Sequence, residues 1–199
     1  MTRVDGRVER GEQTRRLILR RAADIASVEG LEGLSIGRLA AELDVSKSGV
    51  FAHFGSKEEL QLATVRAAAK IFVDTVVTPA FREPVGLPRL RALCEGWLDY
   101  SERRTFPGGC FFAAVQPEFS SRPGRVRDSI AEAGEKWTAL IREAAVQSGL
   151  EDPDQLAFEV VAFLEAANVQ AVLHDFPGAY DRARVAVRER LTRVEGAAE

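Results

Sequence analysis

Ser35-Ile-Gly-Arg-Leu-Ala-Ala-Glu-Leu-Asp-Val-Ser-Lys-Ser-Gly-Val-Phe-Ala-His-Phe-Gly-Ser-Lys57 decides how the rest of the chain is read. Ile36, Leu39, Ala40 and Leu43 follow the i, i+3, i+4, i+7 spacing of one helical face. Ser35 stands just before that face as an N-cap, and Ala40 is small enough to let a following helix approach. Asp44 falls where the chain must reverse. A turn there needs positive φ, which Asp tolerates better than most residues, at some cost. Val45 resumes the core and Ser46 caps a second helix. In that helix Val50 and Phe54 point inward, which leaves Lys47, Ser48, Gly49, Phe51 and His53 outward. Gly55 suits the C-terminal stop, and Ser56-Lys-Glu-Glu59 is a capping box that starts another helix. A short helix with a polar front and an apolar back is what can stand in a DNA major groove while packed on a small core.

This arrangement resembles the TetR family of bacterial transcriptional repressors. The likeness is carried by a long first helix, Leu34-Ser35-Ile36, Leu39-Ala-Ala-Glu-Leu43, Val45-Ser-Lys-Ser-Gly49 and Phe51-Ala-His-Phe-Gly-Ser-Lys-Glu-Glu-Leu60. It covers the first third of the chain in detail and the remainder in length and helical character. Two departures stand out: Asp44 replaces the usual turn Gly, and Phe51 sits where the family most often has Tyr, without the hydroxyl that would contact a phosphate. The resemblance implies an all-α fold of about nine helices. Residues 1–56 would form a three-helix helix-turn-helix head, and residues 57–199 a helical regulatory and dimerisation bundle. It also implies a homodimer on a near-palindromic double-stranded DNA operator, released by a small-molecule effector.

Lys47, Ser48 and Gly49 lie in the first turn of the second helix, which Ser46 caps. They are the candidates for base edges: Lys donates to guanine O6 and N7, Ser reads either kind of base, and Gly lets the backbone come close. Phe51 and His53 are expected to flank the phosphates. Lys57 lies at a helix N-terminus, where free amides favour a phosphate, and Ser35 and Arg38 are expected to touch the backbone of the facing strand. The plainer alternative is a set of ordinary surface polar residues.

The whole chain of 199 residues, 46% hydrophobic, can bury a real core. Its net charge of −3 argues against a general nucleic-acid coat, but the distribution is uneven, with residues 1–57 carrying +2 and the rest −5. Arg3, Arg7, Arg10, Arg15, Arg16, Arg20 and Arg21 read as a basic arm for phosphates, or else as a solvated helix face. No apolar run is long enough to cross a bilayer and residues 1–7 lack a signal-type stretch, so a cytoplasmic location is expected. Cys94 and Cys110 make no disulfide framework.

Every long periodic segment has helical spacing. One helix is predicted over 13–29, with Leu17, Ile18, Ala22, Ile25 and Ala26 inward. Another covers 57–78 and ends before Pro79, with Leu60, Ala63, Ala67 and Ile71 as its stripe. A helix from 88 carries Leu90, Leu93, Trp97 and Tyr100. Further helices cover 110–115, 126–147, 153–174 and 180–194. Residues 117–124 read as irregular and the tail 196–199 as frayed.

No nucleophile–base–orienter set, cofactor fingerprint or metal-ligand spacing is visible, so neither an enzyme, a cofactor nor a metal site is expected. His53 and His174 are the only histidines, and His174 reads as a helix-end residue beside Asp175. Cys110 follows two glycines at a helix start. A redox-sensing thiol there is the alternative trigger; the plainer reading is a small buried residue, as for Cys94. The resemblance implies a cavity among the fourth to eighth helices. Its candidate lining is Phe72, Trp97, Tyr100, Cys110, Phe111, Gln116, Trp137, Glu165 and Asn168. Glu165 and Asn168, polar within the apolar 156–173 run, would anchor a ligand, satisfy each other or lie at a dimer seam. The last two helices would pair with their copies, with Val160, Ala167, Ala171, Val185 and Leu191 as compatible apolar positions.

Overall fold

The computed structural model describes residues 6–195. Arg3 and the tail 196–199 lie outside the described residues, and the Arg7 side chain is not among those described. The described chain is all-α, with nine helices once continuous segments are joined. They are α1 (Gly6–Glu29), α2 (Ile36–Glu42), α3 (Lys47–Phe54), α4 (Lys57–Phe72, continuing through a π turn Val73–Val77 into Thr78–Ala80), α5 (Leu87–Glu102), α6 (Phe111–Phe119), α7 (Arg125–Gln147), α8 (Pro153–Val172) and α9 (Ala179–Glu195).

Three boundaries differ from the sequence reading. α1 starts at Gly6 rather than near 13, because the Arg and Glu of its first turns are good helix formers even without an apolar face. α4 passes through Pro79. The Thr78 amide bonds the Val73 carbonyl across the wider π ring, and Pro79 removes a donor only in the final turn. Buried Val76 and Ala80 hold this extension against the core. α6 runs to Phe119 and contains Pro117. Burial of Val115 and Phe119 offsets the lost hydrogen bond, so packing overrides local propensity.

α4 runs through the centre of the molecule. Leu60, Leu62, Ala63, Val65, Ala68 and Phe72 are all buried on it, and each fully buried large apolar side chain contributes roughly 1.5–3 kcal/mol. α1 packs on α4 and α6, while α8 packs between α7 and α9. The inward face of α1 is Ile18, Leu19, Ala22, Ala23, Ile25 and Ala26. Leu17, expected inward, is 60% exposed, because that face is centred on the other side of the helix axis. Val45 is likewise 37% exposed rather than core.

A polar hub fastens the bundle. Asn168 Oδ1 on α8 accepts the Ser101 hydroxyl at 2.8 Å and the Cys110 amide at 3.0 Å. Ser101 Oγ also lies 2.9 Å from the Tyr180 hydroxyl on α9. At the α5–α9 seam Arg184 bridges Glu95, Asp99 and Glu102 at 3.2, 2.9 and 2.6 Å.

Candidate nucleic-acid interface and internal cavity

The turn chemistry of the head is as the residues demanded. Ser35 Oγ accepts the Arg38 amide at 3.1 Å. Asp44 adopts φ 52°, and the Val45 amide returns to the Ala40 carbonyl at 3.0 Å, closing α2 in the Schellman manner. Ser46 Oγ accepts the Gly49 amide at 3.0 Å, Gly55 has φ 74°, and Ser56 Oγ accepts the Glu59 amide at 3.1 Å. Val50 and Phe54 are buried, and Arg15 stacks on the Phe54 ring with its guanidinium carbon 5.2 Å from the centroid.

On the outer side of α3, Ser46, Lys47, Ser48, Gly49 and Phe51 are exposed and His53 is half-buried. Lys47, Ser48 and Phe51 border a shallow recess whose other walls are Ile36, Gly37 and Ala52. Lys47 makes no ion pair among the described residues. Arg38 is committed elsewhere: its guanidinium is paired with Glu29 and bonds Glu42 at 2.9 Å. Hydrogen bonding from Arg38 pulls both glutamates below the usual carboxylate range. Lys57 Nζ donates to the Glu32 carbonyl at 2.8 Å and to its carboxylate at 3.1 Å. Two members of the basic arm are also held internally. Arg20 donates to the Thr105 carbonyl at 2.7 Å, and Arg21 pairs with Glu42 at 2.6 Å.

The loop after α1 joins the head to the bundle. Gly30 has φ 79°. Glu118 on α6 accepts the Leu31 and Glu32 amides, each at 2.8 Å. From α4, Gln61 donates to the Leu31 carbonyl at 3.0 Å. A Cβ on Gly30 would lie 2.6 Å from Glu118 Oε2, so this glycine serves both the backbone turn and the contact. Nearby, the Gly108 amide donates to Ser27 Oγ at 3.1 Å, and a Cβ on Gly108 would overlap the Ser27 carbonyl oxygen. None of Glu118, Gln61, Gly108 or Ser27 was legible as functional in the sequence, since each acts across long separations.

A cavity of about 610 Å³ opens between α4, α5, α6, α7 and α8, within the range of small-molecule sites. It brings together six of the predicted residues: Phe72, Trp97, Cys110, Gln116, Trp137 and Glu165. Phe72 meets Trp137 edge-on, centroids 5.1 Å apart. The other three do not line it. Tyr100 and Phe111 are fully buried behind the wall, where Tyr100 packs edge-on against Phe72, and Asn168 is occupied by the polar hub. Glu165 and Asn168 therefore do not satisfy each other. Residues that the sequence reading missed include Arg66, Phe112, Thr138 and Leu140.

Burial holds the Cys110 thiol up at about 11 and Cys94 at about 12. Desolvation exceeds the effect of the Ala113 and Phe112 amides on Cys110, so burial disfavours the thiolate that a redox trigger would use. Among the proposed dimer positions, Val160, Ala167 and Leu191 are buried within the protomer and cannot meet a second copy. Ala171 is half-buried and Val185 is 51% exposed. The outward apolar residues of α8 and the turn after it are Phe158, Val169, Val172, Leu173 and Phe176. Periodicity alone does not say which of two apolar stripes a bundle helix turns inward. Among the described residues no helix is long and apolar enough to cross a membrane.

Comparison with known proteins agrees with this architecture. Residues 18–64 match the family described as bacterial regulatory proteins, tetR family, and residues 86–187 match the tetracyclin repressor-like C-terminal domain. A TetR transcriptional regulator from Chloroflexus aurantiacus superposes with TM-score 0.82 at 22% identity, covering 92% of this chain and 96% of that one. A putative transcriptional regulator from Saccharomonospora viridis, solved with choline, gives 0.71 at 21% identity over 89% and 95%. AibR, solved with isovaleryl coenzyme A and operator DNA, gives 0.63 at 25% identity over 77% and 84%. A search of curated protein sequences found no match. Family models over both head and bundle, on this all-helical frame, place the chain in the TetR family of transcriptional regulators, which bind DNA and are not enzymes.

Proposed function

We propose that the protein is a homodimeric repressor of a near-palindromic operator, released when a small molecule fills the cavity. Residues 1–56 serve as the reading head and 57–199 as the regulatory and dimerising part. Lys47, Ser48 and Gly49 reach base edges, with Phe51 and His53 beside the phosphates. One observation carries the coupling: α4 and α6 both wall the cavity, and both grip the same loop of the head through Gln61 and Glu118. A ligand that displaces either helix moves the head. Its leverage equals its differential affinity for the two arrangements.

A second copy supplies the second head, because one head buries too little surface for useful specificity. We place the partner against the outward stripe of Phe158 and Val169 on α8, Leu173 just past its end and Val185 on α9, a revision of the residues expected from sequence. Two recognition helices about 34–36 Å apart would enter successive major grooves. That one solved neighbour holds choline, and another both isovaleryl coenzyme A and operator DNA, supports ligand and operator binding by this frame.

The test begins with selection of a binding site from random duplexes, followed by gel shifts. Lys47→Ala and Ser48→Ala weaken operator binding while the dimer persists in sedimentation. Leu173→Glu gives monomers. Unchanged operator affinity in both α3 variants rejects these residues as readers.

A further inference from the structure

Trp97 on α5 is 4% exposed and lines the cavity. An indole N–H can only donate, and this one has no acceptor among the described residues. The fully enclosed side-chain polar atoms in that condition are Asp24 Oδ1 and Arg89 Nε, so the Trp97 N–H is not walled in by protein. The space that its ring borders is the cavity, and the N–H opens there. Gln116 on α6 and Trp137 on α7 line the same space, are half-buried, and hydrogen-bond to no described residue. By contrast the charged lining, Arg66, Glu132, Glu135, Lys136 and Glu165, is exposed and of both signs. Charge therefore selects neither an anion nor a cation. No charged residue of the lining is buried to neutralise an ion brought to Trp97, and an unpaired ion away from water is costly.

We propose that the cavity takes a neutral, largely apolar compound bearing a carbonyl oxygen, a ketone or ester, which accepts the Trp97 indole N–H. This deepens the reading of the cavity as an effector site and rests on it. The hydrogen bond is the discriminating element. A hydrocarbon that fills the cavity displaces water from this donor and leaves it bare, which costs the full desolvation of the N–H. A carbonyl of the same shape replaces the lost bond.

The full-length protein is tested with fluorenone and fluorene, rigid neutral tricycles that differ only by a carbonyl against a methylene. Equilibrium dialysis gives both affinities. Trp97→Phe keeps an aromatic ring and removes the N–H. In that variant, checked for folding by circular dichroism, the ratio of fluorenone to fluorene affinity falls about threefold to tenfold, the net scale of one hydrogen bond. Lost ring area weakens both probes alike and cancels in the ratio. The chain has two tryptophans, so a nitrogen–proton correlation spectrum carries two indole signals, which Trp137→Phe assigns. In the wild type, saturating fluorenone moves the Trp97 indole proton downfield of its position with fluorene, and this measurement stands should Trp97→Phe not fold. Fluorenecarboxylate, an acceptor that carries charge, binds more weakly than fluorenone. The proposal is overturned if neither neutral probe binds, if the ratio is unchanged in folded Trp97→Phe, if the indole proton sits at one position with both probes, or if the carboxylate binds tighter than fluorenone. Gel shifts of the same samples without probe separate the two failures. A missing carbonyl preference with operator binding intact refutes only this inference, and absent operator binding refutes the function proposed above.

Discussion

Replacing Glu118 with alanine removes the carboxylate that accepts both the Leu31 and the Glu32 amides at 2.8 Å. A hydrogen bond to a charged acceptor contributes roughly 1.5–3 kcal/mol when the remaining donor stays dry. Glu32 is exposed, so its amide regains water and little is lost there. Leu31 is fully buried and its amide is left without an acceptor, which carries most of the cost. The expected loss is about 2 kcal/mol, or a fall in midpoint of about 4–8 °C for a chain of this size. Urea unfolding at matched protein concentration reads it directly. Glu118→Gln keeps one acceptor and recovers about half. The same variant weakens the tie between α6 and the head, so a cavity ligand should release operator less completely. A stability change below about 0.5 kcal/mol, the level of an indifferent surface substitution, together with unaltered ligand response, would refute the idea that Glu118 holds the head.

Gly108→Ala should destabilise by more than about 2 kcal/mol, as overpacking against a backbone carbonyl does, and thermal unfolding measures it; a neutral effect means the loop is free to retreat from Ser27. With a Cys110 thiol held near 11, native protein should resist iodoacetamide at pH 8, whereas urea-unfolded protein should take up two equivalents, one per cysteine; mass spectrometry reads the difference, and rapid native labelling of Cys110 contradicts its burial. Glu29 and Glu42 are held by Arg38 below the usual glutamate value of 4.5. Their contribution is therefore complete above that value and is lost as pH falls through the lowered ones. Arg38→Ala should flatten the acid limb of the stability curve, and coincident acid limbs for variant and wild type would show that the pairing contributes nothing.

The head was legible because its determinants are local. Ser35, Ser46, Ser56, Asp44 and Gly55 act within one turn of where they stand, so type and spacing suffice. Helix stops at Pro79 and Pro117 were misread because burial of Val76, Ala80, Val115 and Phe119 outweighs a missing backbone donor, and burial is not a local property. The cavity was legible in composition only. Phe72, Trp97 and Trp137 line it, but Tyr100 and Phe111 are the same kind of residue one layer back.

By itself the sequence determined an all-helical chain with a capped two-helix turn presenting Lys47, Ser48 and Gly49, because caps, turns and periodicity are short-range chemistry. Only the tertiary structure decided which apolar stripe of α8 is interior, that Arg38 and Lys57 are spent on Glu29, Glu42 and Glu32, and that Glu118 reaches back to Leu31. Those outcomes depend on how helices far apart in the chain are packed, and on which groups that packing leaves dry.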